Sequence, residues 1–304
     1  MMCSTALPVM AASVDIYGRA DVSVQSSDEG QGNFTELKSN ASRLGFKGTH
    51  ALNEDLEVVY KAEFEVDMDG DGDVFKQRNQ FIGLRGKYGE VLLGKNDTLL
   101  KQSQGKVDLF NDLSGDIKTL WAGENRLGDS ITYKSPQFQN FQLGLTYLAE
   151  NDIEANDAFS MALIYGDKTL KKSRFYASVA YDSEVKGKTG DGAVKGNFDT
   201  LRATASTKLA GVTLGLMLQN QEQVATGIEM NGVMASAKYS FDNITVKGQI
   251  QTADYEEGDS RSGFSAGVDY KLAKSTKLYA FYTSFDLDSA ADEDYLAAGI
   301  QYKF

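Results

Sequence analysis

Along most of this chain apolar and polar residues alternate one for one. Val14, Ile16, Gly18, Ala20, Val22 and Val24 interleave with Asp15, Tyr17, Arg19, Asp21 and Ser23. Successive strand side chains point to opposite faces, so a period of two predicts a strand with one apolar wall and one polar or small wall. Leu56, Val58, Tyr60, Ala62 and Phe64 oppose Glu57, Lys61, Glu63 and Glu65 in the same way, and Phe141, Leu143, Leu145 and Tyr147 oppose Gln142 and Thr146. The last run sets Leu296, Ala298, Ile300, Tyr302 and Phe304 against Tyr295, Ala297, Gly299, Gln301 and Lys303. Such runs number about sixteen, each of roughly ten residues, the length a tilted strand needs to cross a bilayer.

Aromatic residues gather near the strand ends, as with Tyr60 and Phe64 or Tyr239 and Phe241, where interfacial girdles of a membrane barrel belong. The connections also differ in length. Residues 87–89, 209–211, 240–243 and 272–275 read as tight turns, whereas 25–40, 66–73, 96–129, 183–197 and 285–294 read as long polar loops. The predicted fold is all-β, a transmembrane antiparallel β-barrel of about 16 strands over residues 13–304, with long loops at one end. A soluble sandwich shares the alternation but carries more proline and less regular strands; this chain has 2 Pro against 30 Gly, 15 Tyr and 16 Phe.

No apolar run of about 18 residues is present, which excludes a transmembrane helix but not a barrel, whose apolar residues are diluted by its lumen-facing half. A formal charge of −12 argues against a nucleic-acid partner, which requires a basic patch. Residues 1–12 are apolar and small, as expected of the remnant of a secretory signal, so Cys3 is expected to be absent from the mature protein. The single histidine, His50, falls in an expected periplasmic turn and the only cysteine in the expected signal, which removes Ser/His and Cys/His dyads, and histidine-based metal clusters, from any plausible site. Neither an enzyme nor a cofactor is expected.

Five segments, in order along the chain, resemble the general porins of Gram-negative outer membranes, in their gammaproteobacterial form. Val14-Asp-Ile-Tyr-Gly-Arg19 is similar to the first strand of that family, and Ser42-Arg-Leu-Gly-Phe-Lys-Gly48 to the second. Residues 78–95 resemble the strand pair before the constriction loop, and residues 125–147 the segment after it. Tyr302 and Phe304 match the aromatic terminus that resembles the signal read by the barrel-assembly machinery. The resemblance implies a sixteen-stranded homotrimer passing small hydrophilic solutes and ions, in contact with outer-membrane lipid and lipopolysaccharide.

Segment 96–129 is too long for an ordinary hairpin connection and is functional by that criterion. By the resemblance it is the third loop, folded inward to narrow the lumen. It carries Asp108, Asp112 and Asp116 at four-residue spacing, although the Pro and Phe of the family's loop-tip motif are missing. The facing basic wall maps, residue by residue, onto Arg19, Arg43, Arg78 and Lys134. Alternation independently puts Arg19 and Arg43 on the polar face, but Arg78 shares its parity with Gln80, Ile82 and Leu84. Acid facing base makes a transverse field that favours polar solutes, and the net charge suggests a mild lean to cations.

Asp67, Asp69, Asp71 and Asp73, with Gly72 between the last two, look like the front of a calcium loop. Position twelve is Arg78 rather than the bidentate Glu, so a solvated acidic loop tip is the better reading. Two further functions remain open at this point. A substrate-specific or ligand-gripping barrel is favoured by an aromatic lumen track, for which Tyr17, Tyr176, Tyr279, Phe281 and Phe285 are candidates without forming a clear row. An outer-membrane hydrolase is opposed by the single histidine.

Overall fold

A computed structural model describes residues 13–70, 72–150, 156–189, 195–256, 258–288 and 290–304. The expected leader 1–12, with Cys3, and the metal candidate Asp71 lie outside the described residues. Seventeen strand segments pair antiparallel throughout: β1 (Ser13–Asp28), β2 (Asn33–Ser39), β3 (Arg43–Ala51), β4 (Leu56–Val66), β5 (Phe75–Gly86), β6 (Gly89–Asp97), β7 (Arg126–Lys134), β8 (Phe141–Leu148), β9 (Ala158–Tyr165), β10 (Phe175–Lys188), β11 (Lys195–Leu209), β12 (Val212–Gln223), β13 (Ile228–Phe241), β14 (Ile244–Tyr255), β15 (Ser260–Lys271), β16 (Thr276–Asp286) and β17 (Glu293–Lys303). β2 and β3 lie end to end along β1, from Asp28↔Asn33 down to Ser13↔Thr49, so the barrel has sixteen staves. The other edge of β1 pairs with β17 from Arg19↔Lys303 to Asp28↔Asp294, which closes the ring. Closure leaves no edge whose N–H and C=O groups lack a partner, the condition for a sheet to sit in hydrocarbon.

Alternation resolves into an outer and an inner wall. Ile16, Val24, Ile82, Leu93, Ile131, Leu143 and Ile300 stand exposed on the outside, while Asp21, Ser23, Gln25, Thr132, Thr204 and Gln249 are buried within. Two of the long polar connections shorten in the structure. The ladder continues to Asp28 and resumes at Asn33, and it continues to Lys188 and resumes at Lys195. Beyond the apolar belt both faces of a strand meet water, so hydrophobic alternation stops although backbone pairing does not.

Between β6 and β7 the chain turns into the lumen. It forms the short helix α1 (Leu99–Ser103) and a single 3-10 turn (Ile117–Thr119) before rejoining the wall. Among the described residues no helix is long and apolar enough to cross a membrane. Leu99 and Leu100 of α1 pack on Ala162 and Ala180 of the wall. Farther along, Val107, Phe110, Ile117, Leu120 and Trp121 join one buried cluster with Met217, Met230, Met234, Phe281 and Phe285 from β12, β13 and β16. The inner wall is therefore apolar on the arc where the loop rests and polar across from it.

At the short-turn end the terminal residue closes against the first strand. Gly18 N–H donates to the Phe304 carbonyl at 3.0 Å, and Phe304 N–H donates back at 3.2 Å. The Phe304 ring stacks beside Tyr302 and occupies the space a Cβ at position 18 would need, with the Arg43 carbonyl also too close. Gly18→Ala should therefore lower barrel stability by about 1–3 kcal/mol, the cost of overpacking a filled contact. Urea unfolding of the refolded barrel measures it; an unchanged midpoint would contradict this closure.

Candidate constriction inside the barrel

Arg19 of β1 and Arg43 of β3 stand directly opposite each other in register on the inner wall. Like charges so placed repel, and the structure supplies their counter-charge from the loop. Asp112 Oδ2 accepts from Arg19 Nη2 at 2.9 Å and from Arg43 Nη2 at 2.6 Å. The break between β2 and β3 completes the cradle. Ala41 takes a left-handed conformation at φ 48°, and this turns its carbonyl and that of Asn40 toward the guanidiniums. Arg19 donates to both, at 3.1 and 2.8 Å, and Arg43 Nε donates to the Ala41 carbonyl at 3.0 Å. Ser42 Oγ stitches the break to Asp21 of β1 by accepting from its N–H at 2.9 Å and donating to its carbonyl at 3.1 Å.

Asp112 is held from behind. Its φ is 70°, a conformation that Asp tolerates better than most side chains, and its N–H donates to Asp116 Oδ2 at 2.8 Å. Asp116 in turn caps the 3-10 turn by accepting from Lys118 N–H at 3.0 Å. Burial alone would raise the Asp112 carboxyl, but the guanidiniums of Arg43, Arg19 and Arg78 outweigh it and hold the group well below the ordinary range. The carboxylate therefore stays ionised at any physiological pH.

Arg78 reaches the inner wall by a device that alternation does not encode. Phe64 pairs with Gln77 and Ala62 with Gln80, so Arg78 and Asn79 together oppose Glu63 in a β-bulge. The extra residue turns both side chains inward while Ile82 and Leu84 stay outside. Arg78 Nε donates to Glu63 Oε1 at 2.9 Å and Nη1 to Glu65 Oε2 at 2.7 Å. Glu63 also accepts from the Tyr17 hydroxyl at 2.7 Å and pairs with Lys61 at 3.2 Å. Sequence reasoning passed over Glu63, Glu65 and Lys61 as pore groups, although all lie on the polar face of β4 or within its alternation. Above the loop a cavity of about 580 Å³ opens, lined in part by Lys38, Glu65, Arg78, Asp112, Lys118 and Arg126.

Two predicted members stand elsewhere. Asp108 is buried and does not face the opening; its carboxylate accepts from Phe110 N–H at 2.9 Å and Ile117 N–H at 3.1 Å, so it ties the loop to itself. The sequence placed Asp108 and Asp112 together on the constriction loop, but the turns between them give the two carboxylates different surroundings. Lys134, at the end of β7, lies near the short-turn end and donates to Gln102 Oε1 at 2.7 Å. It is on the inner wall but outside the Arg19–Asp112–Arg43 cluster. At the second long loop, Asp67 accepts from the backbone of Asp69, Gly70 and Gly72, and Asp69 accepts from Ser39 N–H at 2.6 Å. These carboxylates shape a turn, and no metal-holding group is found among the described residues.

The five lumen aromatics also find partners. Tyr17 bonds Glu63, Tyr176 donates to the Ser103 carbonyl at 2.9 Å, and Tyr279 donates to Asp21 Oδ1 at 2.7 Å. Phe281 and Phe285 lie beneath the loop. They are its bed rather than a track along the lumen.

A family model described as Gram-negative porin matches residues 1–290. The chain is 25% identical to the major outer membrane protein P.IB of Neisseria lactamica over 304 residues, covering 89% of this chain and 88% of that protein. The anion-selective porin from Comamonas acidovorans superposes with a TM-score of 0.81 at 21% identity, over 97% of this chain and 100% of that one. The trimer form of OmpT from Vibrio cholerae superposes with a TM-score of 0.72 at 16% identity, over 97% and 100% of the two chains.

Burial and the nearby Asp116 push the Asp108 carboxyl from an ordinary value of 3.8 up to about 8. The folded state therefore holds that proton more tightly than the unfolded chain. Stability from this group is full below the unfolded value, falls as pH rises, and levels off beyond about 8. In urea unfolding followed by Trp121 fluorescence, the loss of stability between about pH 5 and about pH 8 should be smaller in Asp108→Asn than in the parent. Equal losses in the two proteins would contradict the buried, self-bonded Asp108.

Proposed function

The chain belongs to the Gram-negative porin family, and from that premise we propose how this barrel sorts what it passes. It is an outer-membrane channel for passive diffusion. The permeant class proposed is ions and small hydrophilic solutes, which fits the polar lining of the cavity above the loop. Selection is assigned to the Arg19, Arg43 and Arg78 wall facing Asp112. The observation that carries this reading is the single carboxylate shared by two opposed guanidiniums. Asp21 also pairs with Arg19 at 3.6 Å, so Asp112 and Asp21 answer Arg19 and Arg43 while Glu63 and Glu65 answer Arg78 and Lys61, and the field arises from where these charges stand rather than from an excess of either sign. Across a narrow opening such an arrangement aligns dipolar solutes and disfavours apolar ones.

Assembly as a homotrimer is part of the same proposal, supported by the likeness to the trimer form of OmpT. The outer belt is assigned to lipid and lipopolysaccharide contact, and Tyr302 and Phe304 to recognition by the barrel-assembly machinery. No catalytic role is proposed. A ligand-gripping barrel is the weaker reading, since the aromatics that would form its track are packed under the loop or hydrogen-bonded to the wall.

Replacing Arg43 and Arg78 with Ala should widen the pore and shift selectivity toward cations. A unit charge about 4 Å away in water is worth about 1 kcal/mol, with opposite sign for a cation and an anion, so each guanidinium removed should change the cation-to-anion permeability ratio by up to about thirtyfold. Reversal potentials under a salt gradient in planar bilayers measure the shift. Unchanged conductance and selectivity would sink the assignment.

A further inference from the structure

Two tyrosines on the inner wall cross a neighbouring strand in the same way. Tyr17 of β1, Gly45 of β3 and Glu63 of β4 stand in one register row. The Tyr17 ring lies over Gly45, and its hydroxyl donates to Glu63 Oε2 at 2.7 Å. At the seam of the barrel, Tyr279 of β16 lies over its register partner Gly299 of β17 and donates to Asp21 Oδ1 of β1 at 2.7 Å. A Cβ at position 45 or 299 would fall 2.4 Å from the ring carbon that carries the hydroxyl. Each crossing therefore needs a strand residue without a side chain, the use of glycine where another group approaches closely.

The carboxylates so reached are the ones that back two pore arginines. Asp21 and Glu63 are only 2% and 5% exposed. Asp21 Oδ2 stands 3.6 Å from Arg19 Nε and accepts from Gln301. Asn40 N–H donates to the Asp21 carbonyl at 2.8 Å, and Asn40 Nδ2 donates to the Tyr279 hydroxyl at 2.9 Å. The tyrosine thus also steadies the residue whose carbonyl accepts from Arg19. At the second crossing, Glu63 Oε1 accepts from Arg78 Nε, and Lys61 shares Oε2 with Tyr17.

The two oxygens differ in what else they have. Tyr279 is the side-chain donor to Asp21 Oδ1 among the described residues, whereas Glu63 Oε2 keeps Lys61 at 3.2 Å. A buried carboxylate oxygen that loses its donor bears a desolvation cost, and the nearest water is in the lumen. Turning toward it would bring negative charge to the opening and leave the arginine in front of it less fixed.

We propose that Tyr279 and Tyr17 are positioning residues for selectivity, each holding across a glycine the carboxylate that stands behind a pore arginine and keeping it out of the ion path. The proposal rests on the assignment of selection to the arginine wall.

The test is the reversal potential of Tyr279→Phe under a salt gradient, a change that removes the hydroxyl and keeps the ring. Intact barrels are confirmed for every variant by heat-modifiable gel mobility. The cation-to-anion permeability ratio should rise about twofold, as expected when a unit charge moves a few ångströms nearer the ions in water. Tyr17→Phe should raise it less, because Lys61 still answers Glu63. In an Asp21→Asn background Tyr279→Phe should leave the ratio unchanged, since no charge remains to be positioned, while Tyr17→Phe keeps its effect there. Gly45→Ala, which pushes the Tyr17 ring off its crossing, should match Tyr17→Phe and add nothing when the two are combined. No shift in Tyr279→Phe, or an equal shift with and without the Asp21 carboxylate, would overturn the brace. A parent ratio in the Arg43→Ala/Arg78→Ala channel would instead bring down the arginine wall, and the brace with it.

Discussion

A loop folded into a barrel must hide its apolar side chains and satisfy its own backbone at the same time, and this structure meets both demands with one arc of wall. Trp121, Phe110 and Ile117 lie on the methionines and phenylalanines of β12, β13 and β16. Around them, wall side chains take up the loop's peptide groups. Gln249 accepts from Leu109 N–H and donates to the Gly115 carbonyl, at 2.9 and 2.8 Å. Ser236 donates to the Val107 carbonyl at 2.7 Å, and Gln219 donates to the Ala122 carbonyl at 3.0 Å. A buried peptide group without such a partner costs free energy comparable to a lost hydrogen bond, so the loop has one favourable resting place. Everything on the opposite arc, including the width of the opening, follows from where that bed puts the loop.

The charges complete the placement. Arg202, fully buried on β11, pairs with Glu124 at the loop's exit at 2.7 Å, while Asp112 at its tip reaches Arg19 and Arg43. Removing one partner of a buried pair leaves an uncompensated charge at a cost of about 3–5 kcal/mol. The loop is thus fixed at its tip and its exit by ionic contacts and between them by apolar ones. The same contacts define the electrostatics of the passage. Net charge says little about it, because the groups that a solute meets are set by inward parity and by which acids the backbone has already occupied.

Much of this was legible in the chain. The barrel, its strand number and the polar-face positions of Arg19 and Arg43 follow from a period of two, since hydrocarbon outside and water inside impose that period on every staff of the wall. Three features were not legible for physical reasons. Arg78 has the wrong parity until the bulge opposite Glu63 is known, and a bulge leaves no hydrophobic signature. The strand extensions at Asp28 and Lys188 lie outside the apolar belt, where pairing persists without alternation. The division of labour among Asp108, Asp112 and Asp116 depends on turns that bring neighbours in sequence to different surroundings. The lumen aromatics were visible as residues, but their role as a bed required knowing which loop faces them.

The chain has a single tryptophan, and it lies at the centre of the bed, fully buried, with its indole N–H donating to the Thr252 carbonyl at 2.7 Å. Iodide quenching of Trp121 in the refolded, conducting channel therefore reports directly on whether the loop rests where described. The account predicts a blue-shifted emission that iodide barely quenches while the pore still passes ions. An emission typical of water-exposed indole, quenched as readily as in the urea-unfolded chain, would mean that the loop is not held on its bed and would contradict the account.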